Sequence, residues 1–288
     1  MKTRHKTMLA TIALWAGLWV GSDVAIAQQP LSAAKIAEIL ASPDRSAADR
    51  TNDLRRKPEK LLPFIGPRPG IVAFDLSAAG GYTTELLARA IGPTGKVFGQ
   101  SRPIDPNRAP TPPAVREGNS HPNLAAPAAA PPSAPRPSPV ALADRSAKLL
   151  AAGVPAAPIV AVSRPFEDPF PPELATGGVD LATLIFNYHD LGFMGVDRTA
   201  MNAAVFRALK PGGTYVIADH AGRPGTGISE AGTLHRIEEA FLRQEVEAAG
   251  FKLVEEGTFL RNLNDPKDKN TPDPPQPKDE FVLKFVKP

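Results

Sequence analysis

The sequence contains no cysteine among its 288 residues, and aromatic residues make up only 6% of it. Without cysteine, neither a disulfide framework nor a lipid anchor on a thiol is available, so the fold depends on its hydrophobic core. The formal net charge is only +3, with both signs interspersed. No basic block indicates a nucleic-acid partner, and no long basic amphipathic segment indicates a membrane surface.

The N-terminus has the pattern of an export signal. A basic segment (residues 2–6) precedes an apolar segment (Met8–Val20), and Ala25-Ile26-Ala27 supplies a small-x-small cleavage site. The apolar segment is shorter than the roughly 20 residues that span a membrane. We predict a Sec-type signal peptide over residues 1–27, cleaved after Ala27, and a periplasmic or secreted protein over 28–288 with no stable membrane span. The alternative is an uncleaved N-terminal anchor.

The stretch from Ile71 to Gln100 has the pattern of a βαβ unit. A short apolar run leads into Asp75, a turn of small residues covers Ser77–Gly81, and an amphipathic run covers Tyr82–Ala90 before a second apolar segment. The spacing of the apolar residues in these segments predicts a strand, a tight turn, a helix and a second strand. Such a turn lets a ligand approach the backbone, and the helix N-terminus offers unpaired N–H groups to a nucleotide-like ligand.

This motif resembles the first motif of class I S-adenosylmethionine-dependent methyltransferases, which reads acidic-x-Gly-x-Gly-x-Gly. Asp75 and Gly81 match its first and last positions, whereas Ser77 and Ala79 occupy the first two glycine positions. The Leu-Lys-Pro-Gly-Gly sequence at 209–213 resembles the loop before the fifth strand of that family. The resemblance covers about residues 45–100 and 158–288. It implies a Rossmann-like, seven-stranded, doubly wound α/β sheet with an antiparallel last strand.

The resemblance also implies S-adenosyl-L-methionine as the cofactor. The residues that it assigns to cofactor binding are Asp75, Ser77, Ala79, Gly80, Gly81, Gln100 and Asn187. Gln100 stands where the family usually has an acidic residue for the ribose hydroxyls. Ser163 stands where an acidic residue often follows the third strand, with Glu167 and Asp168 nearby.

Polar residues follow two of the predicted strands. Asn187-Tyr188-His189-Asp190 follows the apolar run 179–186, and Asp219-His220 ends the next strand. In open α/β sheets the carboxyl ends of the strands face the ligand crevice. We therefore predict that His189, Asp190, Asp219 and His220 are catalytic, with His189 as a general base near neutral pH. The alternative is that Asn187 and Asp190 cap a turn around a structural histidine.

A helix predicted over residues 233–249 can bring His235 and Arg236 to the same crevice. Three histidines and two aspartates there suit a divalent metal ion. No closely spaced pair such as H-x-x-x-H supports one, however, so we predict no metal site.

Two flanking segments complete the domain organisation. Residues 28–66 read as one or two helices, interrupted at Ser42–Asp44, and Arg50, Asp53 and Arg56 are expected to be solvated or structurally paired rather than cleft-lining. Residues 101–157 form a Pro/Ala-rich insertion, because repeated proline excludes a continuous helix or central strand. A short helix over 141–152 returns the chain to the sheet.

A narrower resemblance is to a group of exported bacterial proteins described as predicted methyltransferases. It rests on residues 187–190, 195–198, 219–220, 233–237 and 259–262. The function implied is methyl transfer from S-adenosylmethionine to a small-molecule or protein acceptor. The alternative is a non-catalytic exported binding protein on a degenerate methyltransferase fold, and a third option is metal-assisted hydrolysis.

Overall fold

The structure, a computed structural model, describes residues 31–103, 114, 136–270 and 276–288. The predicted signal peptide and most of the proline-rich insertion therefore lie outside the described residues. No helix within the described ranges is long and apolar enough to cross a bilayer.

Seven strands form one mixed sheet. They are β1 (Val72–Leu76), β2 (Lys96–Ser101), β3 (Ile159–Ser163), β4 (Val179–Ile185), β5 (Leu209–His220), β6 (Lys252–Gly257) and β7 (Glu280–Val286). Their spatial order is β3-β2-β1-β4-β5-β7-β6. Strand β7 runs antiparallel to both β5 and β6, and the other pairs are parallel. The predicted fold class is confirmed.

The central strands read as near-continuous apolar runs because both faces of the sheet are covered. One apolar cluster includes Phe74 and Tyr215, and the other includes Ala73 and Val216, so neighbouring residues on β1 and on β5 face opposite layers. Strand β5 begins at Leu209, earlier than the predicted start at Thr214, since Leu209 pairs with Val179 ahead of an irregularity in the register.

Nine helices lie within the described residues. They are α1 (Ala33–Ala41), α2 (Ala47–Arg56), α3 (Pro58–Ile65), α4 (Tyr82–Ile91), α5 (Ser138–Ala151), α6 (Asp190–Phe193), α7 (Arg198–Ala208), α8 (Ala231–Leu234) and α9 (Glu239–Ala248). The N-terminal segment contains three helices rather than one or two. Lys57, at φ 44°, separates α2 from α3, and Pro63 lies inside α3 instead of ending the helix.

The prediction of one continuous helix over 233–249 is wrong. The chain leaves helical geometry at His235, whose φ is 51°, and α9 begins only at Glu239. Between them, Ile237 donates its N–H to the carbonyl of His220 at 3.0 Å, and its own carbonyl accepts the N–H of Gly222. These contacts with the end of β5 replace helical hydrogen bonds. No glycine or proline marks the break in the sequence.

Candidate functional site

The turn after β1 has the backbone of a glycine-rich motif without all of its glycines. Ser77, Ala79 and Gly81 have φ values of 54°, 47° and 79°, all in the left-handed region. For a residue with a Cβ atom this conformation costs roughly 1–2 kcal/mol. Ala79 and Gly80 are exposed, and a Cβ atom added at Gly80 would meet no atom of the described residues within 4 Å. The turn therefore opens onto free space at Gly80.

Helix α5 supports the other side of this turn. A Cβ atom added at Gly81 would lie 2.7 Å from Leu142 Cδ2 and 2.8 Å from Arg145 Cδ. The Arg145 Nε donates to the carbonyl of Gly80 at 2.5 Å. Its guanidinium also pairs with Asp49 of α2 and Glu85 of α4. The helix that follows the proline-rich insertion thus fixes the turn against the N-terminal helices.

Asp75 is buried directly beneath the turn. Its two carboxylate oxygens accept hydrogen bonds from the hydroxyls of Thr84, at 2.6 Å, and Thr183, at 2.7 Å. Burial raises the pKa of Asp75 to about 6, because these hydroxyl contacts only partly offset the lost solvation of the carboxylate. Asp75 therefore ties the first turn of α4 to β4 and is only 2% exposed.

Hydrogen bonds join the other predicted cofactor residues across three strand ends. Gln100 Oε1 accepts the N–H of Ser77 at 3.0 Å, and Gln100 Nε2 donates to the carbonyl of Arg164 at 2.7 Å. The Ser77 hydroxyl donates to Asn187 Oδ1, and Asn187 Nδ2 donates to Asp190 Oδ2, both at 2.5 Å. Because Gln100 is fully buried with both ends of its amide engaged, a ribose contact would have to replace one of these bonds.

The acidic residues after β3 are also engaged. Asp168 pairs with Arg164, and Glu167 Oε1 accepts the N–H of Asp197 at 3.2 Å. Ser163 itself is exposed.

The predicted catalytic residues meet at the ends of β4 and β5. His189 Nδ1 lies 2.6 Å from Asp219 Oδ1, and Asp219 also accepts the backbone N–H groups of His189 and His220 at 2.8 Å each. On the other side of the ring, His189 Nε2 lies 3.1 Å from Asp190 Oδ1. His235 Nδ1 lies 3.5 Å from the same oxygen. His189, His220 and His235 are all buried.

The charges in this cluster favour a protonated His189. Burial opposes the imidazolium form, but the Asp219 and Asp190 carboxylates outweigh it and raise the pKa of His189 to about 10. Burial likewise opposes ionisation of Asp190, yet contacts with His189 and His235 lower the pKa of Asp190 to about 2. A histidine with this pKa already carries its proton at neutral pH, which argues against the predicted general-base role.

Two residues near the cluster face elsewhere. His220 Nδ1 lies 3.1 Å from Glu280 Oε1 on β7. Arg236 is fully buried and binds Asp265 through both terminal nitrogens, at 2.8 and 3.1 Å, in the loop after β6. Of the two residues that the sequence placed at a helix start, His235 therefore joins the cluster and Arg236 does not.

The N-terminal helices place a guanidinium against two aromatic rings next to the turn and to the end of β4. The Arg56 guanidinium lies 5.1 Å from the ring centroid of Tyr82 and 5.0 Å from that of Phe186. Its Nε is buried without a hydrogen-bond partner among the described residues. Burial, together with the charge of Arg55, lowers the pKa of Arg56 to about 10, so the guanidinium stays charged at neutral pH.

The other polar residues of α2 are structurally paired, as expected. Asp53 accepts hydrogen bonds from both terminal nitrogens of Arg45 and from the Tyr82 hydroxyl. Arg50 donates to backbone carbonyls of the first helical segment. Arg56 differs from them, because it packs on two aromatic rings and its Nε has no hydrogen-bond partner among the described residues.

A strained backbone position adjoins this guanidinium. Phe186, the residue after β4, has a φ of 61°, a left-handed conformation that is an outlier for a bulky residue. Its ring lies 4.7 Å from the Arg55 guanidinium and 5.4 Å, centroid to centroid, from the His220 ring. Strain of this kind, of order 1–3 kcal/mol, clusters at binding and catalytic sites.

The strand order, the antiparallel β7 and the small-residue turn after β1 match the class I methyltransferase fold. Among solved structures, the chain is similar to an S-adenosylmethionine-dependent methyltransferase from Aquifex aeolicus, with 15% identity over 88% of this chain and 98% of that chain and a TM-score of 0.51. It is also similar to geranyl diphosphate C-methyltransferase from Streptomyces coelicolor A3(2), solved with Mg²⁺, geranyl diphosphate and S-adenosyl-L-homocysteine. That match has 13% identity over 91% of this chain and 89% of that chain, and a TM-score of 0.51. No protein-family model and no curated protein matches the sequence.

Proposed function

We propose that this protein is an S-adenosylmethionine-dependent methyltransferase acting on a small-molecule or protein acceptor. The observation that carries the proposal is the turn after β1, which keeps left-handed geometry at Ser77 and Ala79 despite its cost and opens onto free space at Gly80. The relatives in structure named above support the fold alone, so the cofactor and the reaction rest on the residues of this chain.

The residues around the turn fit the amino-acid end of the cofactor. A zwitterionic amino-acid group needs a cation for its carboxylate and acceptors for its ammonium. Arg56 supplies a charged guanidinium without an anionic partner among the described residues, and the oxygens of the half-buried Ser77 and Asn187, which share one hydrogen bond, keep further lone pairs for an ammonium group. Charge-assisted hydrogen bonds of this kind are among the stronger ones in proteins. These three residues and the turn are the ones that would hold the cofactor.

When bound, S-adenosylmethionine supplies a sulfonium methyl group that is open to in-line displacement. The chain's contribution is then mainly positioning, which converts a bimolecular step into an effectively unimolecular one. Asp75, Gln100 and Asp219 act as positioning residues, because each ties the ends of two elements together through buried hydrogen bonds. Asp190, whose side chain is 22% exposed, is the acidic group of the cluster that an acceptor can reach.

Calorimetric titration of the purified full-length chain with S-adenosylmethionine and S-adenosylhomocysteine tests the proposal. Replacing Gly80 with leucine fills the free space beside the turn without touching a packed neighbour, so the variant should fold normally and lose binding. This substitution is a better probe than Gly81→Val, which would push into Leu142 and Arg145 and unsettle α5.

A matched pair on α2 tests the carboxylate contact. Arg56→Gln should weaken binding of both compounds about 10- to 100-fold, as expected for losing a hydrogen bond to a charged group. Arg50→Gln on the same helix should leave affinity unchanged, because that side chain binds only backbone carbonyls away from the crevice. Failure of the folded wild-type chain to bind either compound at millimolar concentration would contradict the proposal.

A non-catalytic binding protein on the same fold is the second candidate. The observation that favours it is the engagement of Gln100 and Asp75, whose side chains bind other parts of the chain rather than facing open space. In that case the protein would bind neither compound with a measurable heat while keeping its cooperative unfolding transition.

We also propose that the protein is exported to the periplasm or beyond. The support is the order of basic, apolar and small residues over positions 1–27. N-terminal sequencing of protein recovered from outside the cytoplasm should begin at Gln28. An intact Met1 on that protein would favour the uncleaved anchor.

A further inference from the structure

We propose that His189, Asp190 and His235 form a binding site for one divalent transition-metal ion, with two imidazole nitrogens and one carboxylate oxygen as ligands. This inference is independent of methyl transfer and reverses the expectation drawn from sequence spacing. Two of the residues are adjacent in the chain, and the third arrives from the break between α8 and α9.

The distances between the three candidate ligand atoms fit a shared ion. His189 Nε2, Asp190 Oδ1 and His235 Nδ1 all lie within 4.8 Å of one another. The carboxylate oxygen lies 3.1 Å from His189 Nε2 and 3.5 Å from His235 Nδ1. Ligand atoms about 2.1 Å from one zinc ion lie about 3.0–3.5 Å apart. Two of the three distances already fit a shared ion, and the third, between the two imidazole nitrogens, is at most 4.8 Å.

The orientation of two of these atoms points to a ligand between them. His189 Nε2 and Asp190 Oδ1 are buried and close, yet their alignment does not make a hydrogen bond, and neither has another hydrogen-bond partner among the described residues. Buried polar atoms nearly always have partners. Atoms that coordinate one cation point at the cation rather than at each other, so a shared ion would satisfy both.

The remaining polar atoms of these two residues are already fixed. Asp219 Oδ1 lies 2.6 Å from His189 Nδ1 and can accept the proton held there, so a metal ion would have to displace only the proton on Nε2. Asn187 Nδ2 donates a hydrogen bond to Asp190 Oδ2, and the other carboxylate oxygen, Oδ1, faces the two histidines. A carboxylate behind a metal-binding histidine is the usual outer-shell arrangement, and it both orients the ring and raises its basicity.

A strained backbone conformation holds His235 in place. Its φ of 51° interrupts the helix, and the bridge between Ile237 and Ala221 anchors the interruption beside the end of β5. The ring of His235 then meets the ring of His189 edge to face, with centroids 5.5 Å apart. Left-handed geometry at a residue other than glycine costs of order 1–3 kcal/mol and persists where the surrounding structure enforces it.

The donor set indicates the class of ion. Imidazole nitrogens suit Zn²⁺, Fe²⁺, Co²⁺ or Ni²⁺ better than Mg²⁺ or Ca²⁺, which prefer oxygen ligands. Three protein ligands leave at least one coordination position for water or a substrate oxygen, as in catalytic rather than structural zinc sites.

Equilibrium dialysis of the purified full-length chain against Zn²⁺ and Co²⁺ tests the site directly. We expect one tightly bound equivalent of each ion. X-ray absorption of the zinc-loaded wild-type protein should show two imidazoles among the ligands, a result that does not depend on any variant folding. His235→Asn and Asp190→Asn should each lower affinity by more than the 10- to 100-fold typical of outer-shell changes. Asparagine is chosen at 235 because it tolerates left-handed geometry.

His220→Asn is the matched control. His220 is a buried histidine of the same cluster, with its ring centroid 5.4 Å from that of His189, but its Nδ1 faces Glu280. This variant should still bind one equivalent of zinc. Less than one equivalent in the wild type, fewer than two imidazoles in the absorption spectrum, or unchanged affinity in both ligand variants would overturn the proposal. Titration with S-adenosylmethionine is a separate measurement, so either proposal can fail alone.

Discussion

Replacing Ala79 with glycine should stabilise the protein. Ala79 has a φ of 47° in the turn after β1, where its side chain is exposed. Glycine adopts this region without the clash that a Cβ atom causes. Because the Ala79 methyl group is exposed, its removal leaves no cavity in the core.

The expected gain follows from two opposing terms. Relief of left-handed strain is worth roughly 1–2 kcal/mol. The added freedom of glycine in the unfolded chain costs about 0.4–1 kcal/mol. The free energy of unfolding should therefore rise by about 0.5–1 kcal/mol, which corresponds to an increase in Tm of roughly 1–4 °C for a domain of this size.

Urea unfolding of the purified chain measures this difference, with the slope of free energy against urea expected to stay constant. Ala37→Gly is the matched control, since Ala37 is exposed in the middle of α1. There the same substitution should destabilise the protein by about 1 kcal/mol, the propensity cost of glycine in a helix. If Ala79→Gly destabilises the protein as Ala37→Gly does, the turn does not hold the strained conformation and the reasoning fails.

Two further substitutions test the support of the turn. Burial raises the pKa of Asp75 to about 6, so the folded chain keeps a proton there that the unfolded chain loses near pH 4. The contribution of Asp75 to the free energy of unfolding therefore falls as pH rises from about 4 to 6. Asp75→Asn should remove this pH dependence. In urea unfolding, the difference in free energy of unfolding between wild type and variant should then change by on the order of 2 kcal/mol between pH 4 and 6. A constant difference would show that the carboxyl titrates normally. Leu142→Ala should lower the free energy of unfolding by about 2–5 kcal/mol, because Leu142 is 1% exposed and packs on Gly81 and Gly99. Leu150 lies on the same helix but is 82% exposed. Leu150→Ala should therefore change the free energy of unfolding by less than about 0.5 kcal/mol. Equal losses in the two leucine variants would contradict the described packing of α5.

The fold was predictable because its signals are local. The continuous apolar run of β4 and the small-residue turn after Asp75 are each recorded in a few neighbouring residues, whereas the spatial order of the strands differs from their order along the chain. The helix break at His235 was missed because it depends on pairing with β5, whose residues lie far away in sequence and leave no mark at the break itself. Tertiary contacts there override helical periodicity.

The site was only partly predictable for a related reason. Strand ends indicate which residues meet, so His189, Asp190, Asp219 and His220 were found together. Sequence spacing cannot show which atoms of those side chains are already bonded. The engaged amide of Gln100, the upward-shifted pKa of His189 and the contact of the Arg56 guanidinium with the Phe186 ring all depend on neighbours from other elements.

The sequence by itself determined which segments form strands, because alternating and continuous apolar patterns record which faces are buried. It also determined which polar residues end those strands. Only the tertiary structure decided what these residues do for one another, since hydrogen bonding, burial and charge at a strand end depend on atoms brought there from distant parts of the chain. Left-handed geometry at Ser77 and Ala79 is the clearest case: the residue types disfavour it, and the surrounding contacts enforce it.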